Sequence, residues 1–85
     1  MMDKKEIEQK VKEILSEKLD IDINKITLES HLVDDLGMDS FGAIEIMYAI
    51  EEIFKLEFSE DDLTEVKCVK DISNMVEERL NVSNN

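Results

Sequence analysis

The chain has 85 residues, with 22 Asp and Glu against ten Lys and Arg and a net charge of -12. That length makes one domain near the lower limit of unaided folding, and that charge excludes nucleic acid and anionic membrane surfaces as partners, because both call for basic patches. It favours basic protein partners and a fold that screening by salt or divalent cations stabilises.

The core must be mainly aliphatic, since there is no Trp, one Tyr and three Phe. No Pro and only two Gly favour long helices with few tight turns. The single cysteine, Cys68, cannot close an internal disulfide, which fits a reducing compartment, and a cytoplasmic location is expected. The highly charged N-terminal stretch does not read as a secretory leader. The longest apolar run, Ile46 to Ile50, is far too short to cross a bilayer. Starting at Met1 and ending in a polar tail, the chain is expected to be free-standing and monomeric.

Asp3 followed by Glu6 reads as a capping box opening a first helix. Ile7, Val11, Ile14 and Leu15 fall at helical spacing on one face, and Leu19 extends it. Lys18 suits the last turn. This helix should bury one stripe and do no chemistry. From Asp20 to Asp39 no period is sustained. Ile21, Ile23, Ile26, Leu28, Leu32, Val33 and Leu36 are spread through the stretch. It reads as a long loop pinned to the core by these aliphatic residues, with short strands as the alternative, and such loops are usually functional. Gly37 should supply a backbone turn.

A second helix runs from about Ser40 to Lys55. Phe41, Ile44, Met47, Tyr48 and Phe54 share roughly one face, widened by Ile46, Ile50 and Ile53, so this helix is expected to be the most buried. Glu45, Glu51 and Glu52 are left for its outer surface. Gly42 in its first turn should cost up to about 0.5–1 kcal/mol relative to Ala. Ser59 with Asp62 reads as another cap, opening a short third helix through Leu63. Val69, Ile72, Val76 and Leu80, with Met75 beside them, form the stripe of a fourth. Asp71 near its start and Arg79 near its end suit the helix dipole. Cys68 caps poorly, so the start of this helix is expected to fray. The chain thus divides into a domain over 1–80 and a polar tail, expected to be disordered, over 81–85.

Chemistry converges on Leu36-Gly37-Met38-Asp39-Ser40-Phe41. Ser40 falls in the first turn of the second helix, where several N–H groups have no intrahelical partner and the dipole is positive. A phosphate on the Ser40 hydroxyl would meet both. The plainer reading is that Asp39 and Ser40 merely start a helix. Catalysis by the chain itself is not expected, since a serine hydroxyl without a positioned base is a poor nucleophile and nothing places the one histidine, His31, beside it. Asp20, Asp22 and Asn24 imitate the opening of a calcium loop, but Lys25 stands where Gly is required and His31 where Glu is required, so the EF-hand reading fails. Weak divalent binding at Asp34/Asp35 or Glu51/Glu52 stands beside screened surface charge. Cys68 is expected to be a small residue at a helix–loop junction, with a reactive thiol as the alternative.

The run Asp34-Asp35-Leu36-Gly37-Met38-Asp39-Ser40, followed by the acidic helix ending Glu51-Glu52-Ile53-Phe54, resembles the acyl carrier proteins, with their LGxDSL stretch and EE-x-F helix end. The resemblance covers nearly the whole chain. It implies an all-α fold, a small four-helix bundle of three longer helices and one short one with a long first loop. It implies a 4′-phosphopantetheine arm on Ser40, drawn from coenzyme A by a phosphopantetheinyl transferase that uses Mg²⁺, with Asp39 as part of what the transferase recognises. The arm's thiol then carries acyl groups as thioesters, and the chemistry belongs to the cofactor. The resemblance also implies docking of fatty-acid or polyketide synthesis enzymes, through basic patches, on Glu45, Glu51, Glu52, Asp34 and Asp35. An acyl chain can fold back among the helices, with Met47 and Ile50 as candidate lining residues that plain core packing explains equally well. Type II fatty acid biosynthesis is the expected pathway. Two departures, Phe41 for the usual Leu and Gly42 where fatty-acid carriers often have an acid, leave polyketide or modified-lipid synthesis as an alternative. The reading from a different class is an acidic interaction or cation-binding module with no prosthetic group.

Overall fold

The computed structural model describes residues 2–83, with side chains through residue 81. Four helices follow in order: α1 (Lys4–Leu19), α2 (Ser40–Phe54), α3 (Glu60–Thr64) and α4 (Val69–Ser83), with a single 3-10 turn at Ile23–Lys25 after α1. No strand forms among the described residues; the only pairing is an isolated antiparallel bridge between His31 and Cys68. The all-α bundle with a long first loop is therefore as expected.

α1 is the hub. Its capping box forms as read: the Asp3 carboxylate accepts from the Glu6 N–H, and the Glu6 carboxylate accepts from the Asp3 N–H. It buries Ile7, Val11, Ile14 and Leu15 and packs on both α4 and α2. α2 buries only Ile46, Ile50 and Phe54, whereas α1 and α4 bury four residues each, so α2 is not the most buried helix. The second helix's stripe also needs correcting. Residues at i, i+4 and i+8 define the inward face, and they are Ile46, Ile50 and Phe54. Phe41, Ile44, Tyr48 and Ile53 lie elsewhere on the helix and are exposed. Apolar residues occur nearly all round α2, so periodicity alone did not single out the inner face.

The long loop is held from both sides. Ile26, Leu32 and Leu36 are buried in the core, while Val33 is exposed rather than pinned. Backbone bonds tie the loop to the start of α4: Val69 N–H donates to the Ser30 carbonyl at 3.1 Å, Lys70 N–H to Leu28 at 2.9 Å, and Leu32 N–H to Lys67 at 2.9 Å. The Asp71 carboxylate accepts from the Lys67 and Cys68 N–H groups at 3.0 and 3.1 Å. The first turn of α4 is thus secured without a capping hydroxyl, contrary to the fraying expected from Cys68. α4 also continues through Ser83, so residues 81–83 are helical rather than tail; nothing between Val69 and Ser83 is Gly or Pro to stop it. The rest of that expected tail, residues 84 and 85, lies outside the described residues.

Candidate attachment site at the start of α2

The loop ends in a tight turn that aims the chain into α2. Asp35 and Leu36 N–H groups both donate to the His31 carbonyl, Gly37 N–H to Val33 and Met38 N–H to Leu32. Gly37 sits at φ +71°, a left-handed conformation that other residues adopt only with strain. Asp39 then caps the helix, its Oδ1 accepting from the Gly42 N–H at 2.7 Å. This cap also accounts for Gly42, because a Cβ there would stand 3.2 Å from Asp39 Oδ1 and 3.4 Å from Leu19 Cδ2.

Ser40 is the first residue of α2 and is exposed. Among the described residues its hydroxyl makes no hydrogen bond, so it stands open to solvent. Its own N–H and that of Phe41 have no carbonyl one helical turn back to bond. Residues on either side of Ser40 in the chain reach an apolar cavity of about 40 Å³. Met38 and Ala43, which flank Ser40 in the chain, line it together with Ile46, Met47, Ile50, Phe58 and others. Met47 and Ile50, the two residues singled out from the sequence, both face this cavity.

The acidic residues are distributed unequally. From Ile26 to Phe54 there are seven acids and no Lys or Arg, so this stretch is strongly negative and suited to basic partners. Asp34 and Glu52 are exposed. Asp35 is exposed too, but its Oδ2 already accepts from the His31 N–H at 2.7 Å. Glu45 and Glu51 are half-buried, and Glu51 Oε2 accepts from the Phe58 N–H at 2.8 Å, hooking the segment after α2 back onto it. His31 is occupied locally, its Nδ1 accepting from the Asp34 N–H at 3.1 Å. Among the described residues, no three His, Cys, Asp or Glu side chains converge as metal ligands.

Sequence reasoning missed one feature of this surface. Phe41, Ile44 and Tyr48 are 71%, 45% and 63% exposed and lie at i, i+3 and i+7, an apolar stripe running from Ser40 along the outside of α2 between Glu51 on one side and Glu45 and Glu52 on the other. The spacing was legible; its outward direction was not, since the same helix offers a second apolar stripe.

The family described as the phosphopantetheine attachment site matches residues 9–76. The chain is 46% identical over 72 residues to the acyl carrier protein of Phytoplasma mali (strain AT), covering 85% of this chain and 86% of that one. It is 35% identical over 79 residues to the acyl carrier protein of Coprothermobacter proteolyticus, covering 93% and 96%. A solved structure of a protein assigned as an acyl carrier protein from Mycobacterium tuberculosis superposes with a TM-score of 0.75 at 29% identity, over 80% of this chain and 90% of that one. The chain belongs to the phosphopantetheine-binding acyl carrier family, whose prosthetic group is 4′-phosphopantetheine.

Proposed function

We propose that Ser40 is the attachment point of the arm and that the chain acts as a monomeric, cytoplasmic carrier of acyl thioesters in type II fatty acid biosynthesis. The observation that supports this best is the placement of Ser40, with an open hydroxyl at a helix start between Met38 and Ala43, which line an apolar cavity. Loading joins the Ser40 oxygen to the pantetheine-side phosphate of coenzyme A. The diphosphate bond breaks, adenosine bisphosphate leaves and the hydroxyl proton goes to a base. That base belongs to the phosphopantetheinyl transferase, as does the Mg²⁺, because His31 is engaged with Asp34 and a serine alone is weakly nucleophilic.

Once bound, the arm supplies a thiol that holds the acyl group. The chain's own residues hold and present it, and the chain catalyses nothing. Asp39 fixes the first turn of α2, so that the transferase meets Ser40 in one geometry. Glu45, Glu51, Glu52, Asp34 and Asp35 face the basic patches of synthesis enzymes. Exposed ion pairs contribute only about 0–1 kcal/mol each, so several together give fast, salt-sensitive, reversible docking. The stripe of Phe41, Ile44 and Tyr48 adds apolar area in the middle of that ring of charge. A shuttle needs this balance, since a tight complex does not release its carrier.

A second pathway, polyketide or modified-lipid synthesis, is favoured by one observation: a bulky aromatic, Phe41, stands exposed immediately after Ser40, where it meets any enzyme that reaches the arm. Supplying the loaded chain with malonyl-CoA, a malonyl transferase and a fatty-acid condensing enzyme separates the two. Malonyl loading followed by chain extension is the expected result. A loaded chain refused by both enzymes places the protein in a specialised pathway.

A further inference from the structure

The cavity lined by Met38 and Ala43 holds about 40 Å³, whereas a cavity that admits benzene measures on the order of 150 Å³. An acyl chain of more than a few carbons therefore enters only if a wall moves. The walls are unequal. Leu32, Ile46, Ile50 and Ile72 belong to the buried core, where displacement disturbs close packing. The opposite wall is made by Phe58, Leu63 and Val66, on and beside α3. That helix has five residues and buries none of them. It also takes little part in the packing of α1 against α2 and α4 that holds the bundle together. Segments with so little burial open at low free energy.

One side chain grips this wall from outside. Arg79 of α4 donates from Nη2 to Asp62 Oδ1 at 2.8 Å and from Nη1 to the Glu57 carbonyl at 3.0 Å. Its guanidinium lies 5.3 Å from the centroid of the Phe58 ring. It thus holds α3, the segment leading into α3 and a ring of the cavity wall at once. A planar guanidinium is suited to this combination of fork-shaped donation and stacking, and an ammonium is not.

We propose that Arg79 is a clasp that keeps α3 closed over the cavity, a positioning residue that sets how readily an acyl chain leaves solvent for the interior. Short acyl groups fit, or stay outside, without disturbing the wall, so they do not sense Arg79. Longer ones open the clasp to enter, so weakening it raises their occupancy of the cavity. The cargo in this inference rests on the Ser40 reading; the clasp is a property of the bare chain.

The test has two arms. In the first, amide hydrogen exchange is followed on the unloaded chain for the parent, Arg79→Gln, Arg79→Lys and Lys70→Gln, an exposed cation of α4 with no hydrogen bond or ion pair to α3 among the described residues. Exchange at Asp62, Leu63, Thr64 and Val66 should be about tenfold faster in Arg79→Gln, intermediate in Arg79→Lys and unchanged in Lys70→Gln, while Val11 and Ile14 of α1 keep their protection in all four. Equal acceleration in α1 and α3, or no acceleration in α3, overturns the clasp. In the second, parent and Arg79→Gln are loaded with acetyl- or octanoyl-phosphopantetheine, and thioester cleavage by hydroxylamine is timed. Octanoyl cleavage should slow about threefold in Arg79→Gln, with acetyl cleavage unaffected, because a weaker clasp shifts the population toward the sheltered chain. Equal octanoyl rates in parent and variant overturn the gating role. Absence of loading in both proteins sinks the Ser40 reading instead, and the exchange arm still decides the clasp.

Discussion

α1 and α2 are nearly the same length, and each is opened by an aspartate cap, yet they meet solvent in opposite ways. α1 mixes five Lys with four Glu along its outside, including a Lys10–Glu13 pair at 3.8 Å, and buries its apolar residues. α2 has three Glu, no Lys or Arg, and leaves Phe41, Ile44 and Tyr48 exposed. A face like that of α1 asks only for water. A face with unbalanced charge around uncovered apolar side chains is poorly suited to water alone, and it begins at the proposed attachment residue. The difference separates a helix that builds the molecule from one that presents it.

Within α2, the two faces of one helix should respond differently. Ile50→Ala, at a position 3% exposed, should destabilise by about 2–5 kcal/mol, whereas Tyr48→Ala should stay within about 0.5 kcal/mol. Both are read from urea unfolding midpoints. Equal losses would mean that the exposed stripe packs against something in the free chain. Tyr48→Ala should instead weaken binding to a synthesis enzyme that docks the carrier.

Charge sharpens the same contrast. Glu45→Lys with Glu52→Lys should weaken affinity for a basic synthesis enzyme about tenfold at low salt while raising Tm, because net charge falls and self-repulsion with it. Reversing Glu13 and Glu17 of α1 to Lys should raise Tm similarly and leave partner affinity alone. Affinity that falls equally in both pairs would assign docking to net charge rather than to α2.

A smaller effect concerns acid stability. N–H groups of Lys67 and Cys68 hold the Asp71 carboxyl below its ordinary value of 3.8, and the Ser59 N–H, followed by the Arg79 guanidinium, lowers that of Asp62. A carboxyl depressed in the folded state contributes stability that is present above the ordinary value and lost as pH falls through the lowered one. Asp71→Asn should therefore cost about 1 kcal/mol near neutrality, as weakening hydrogen bonds to a charged acceptor does, and the parent's advantage should shrink below about pH 4. An advantage constant down to pH 2 would show that the carboxylate's charge is not what secures α4.

Much of this was legible in the residues. The caps at Asp3, Asp39 and Ser59, the turn at Gly37 and the inward stripes of α1 and α4 follow from local spacing and backbone chemistry. Ser40 could be located because a motif, a cap and a helix start coincide there. What was not legible depends on contacts between distant parts of the chain. The inner face of α2 is ambiguous because apolar residues surround it, and only packing on α1 selects Ile46, Ile50 and Phe54. The firm start of α4 comes from carbonyls of Leu28 and Ser30 some forty residues earlier. Arg79 reads locally as a cation near a helix end, and its grip on Asp62, Glu57 and Phe58 emerges only from the fold. Glu51 likewise reads as surface charge, yet it holds the Phe58 N–H.

The most direct test of the central claim is intact mass. The parent and Ser40→Ala are incubated with coenzyme A, Mg²⁺ and a broad-specificity phosphopantetheinyl transferase, with circular dichroism to show that both are folded. One added phosphopantetheine on the parent and none on the variant is the predicted result. An equal gain on Ser40→Ala, or no gain on the folded parent with several transferases, would contradict it and return Asp39-Ser40 to the role of a helix start.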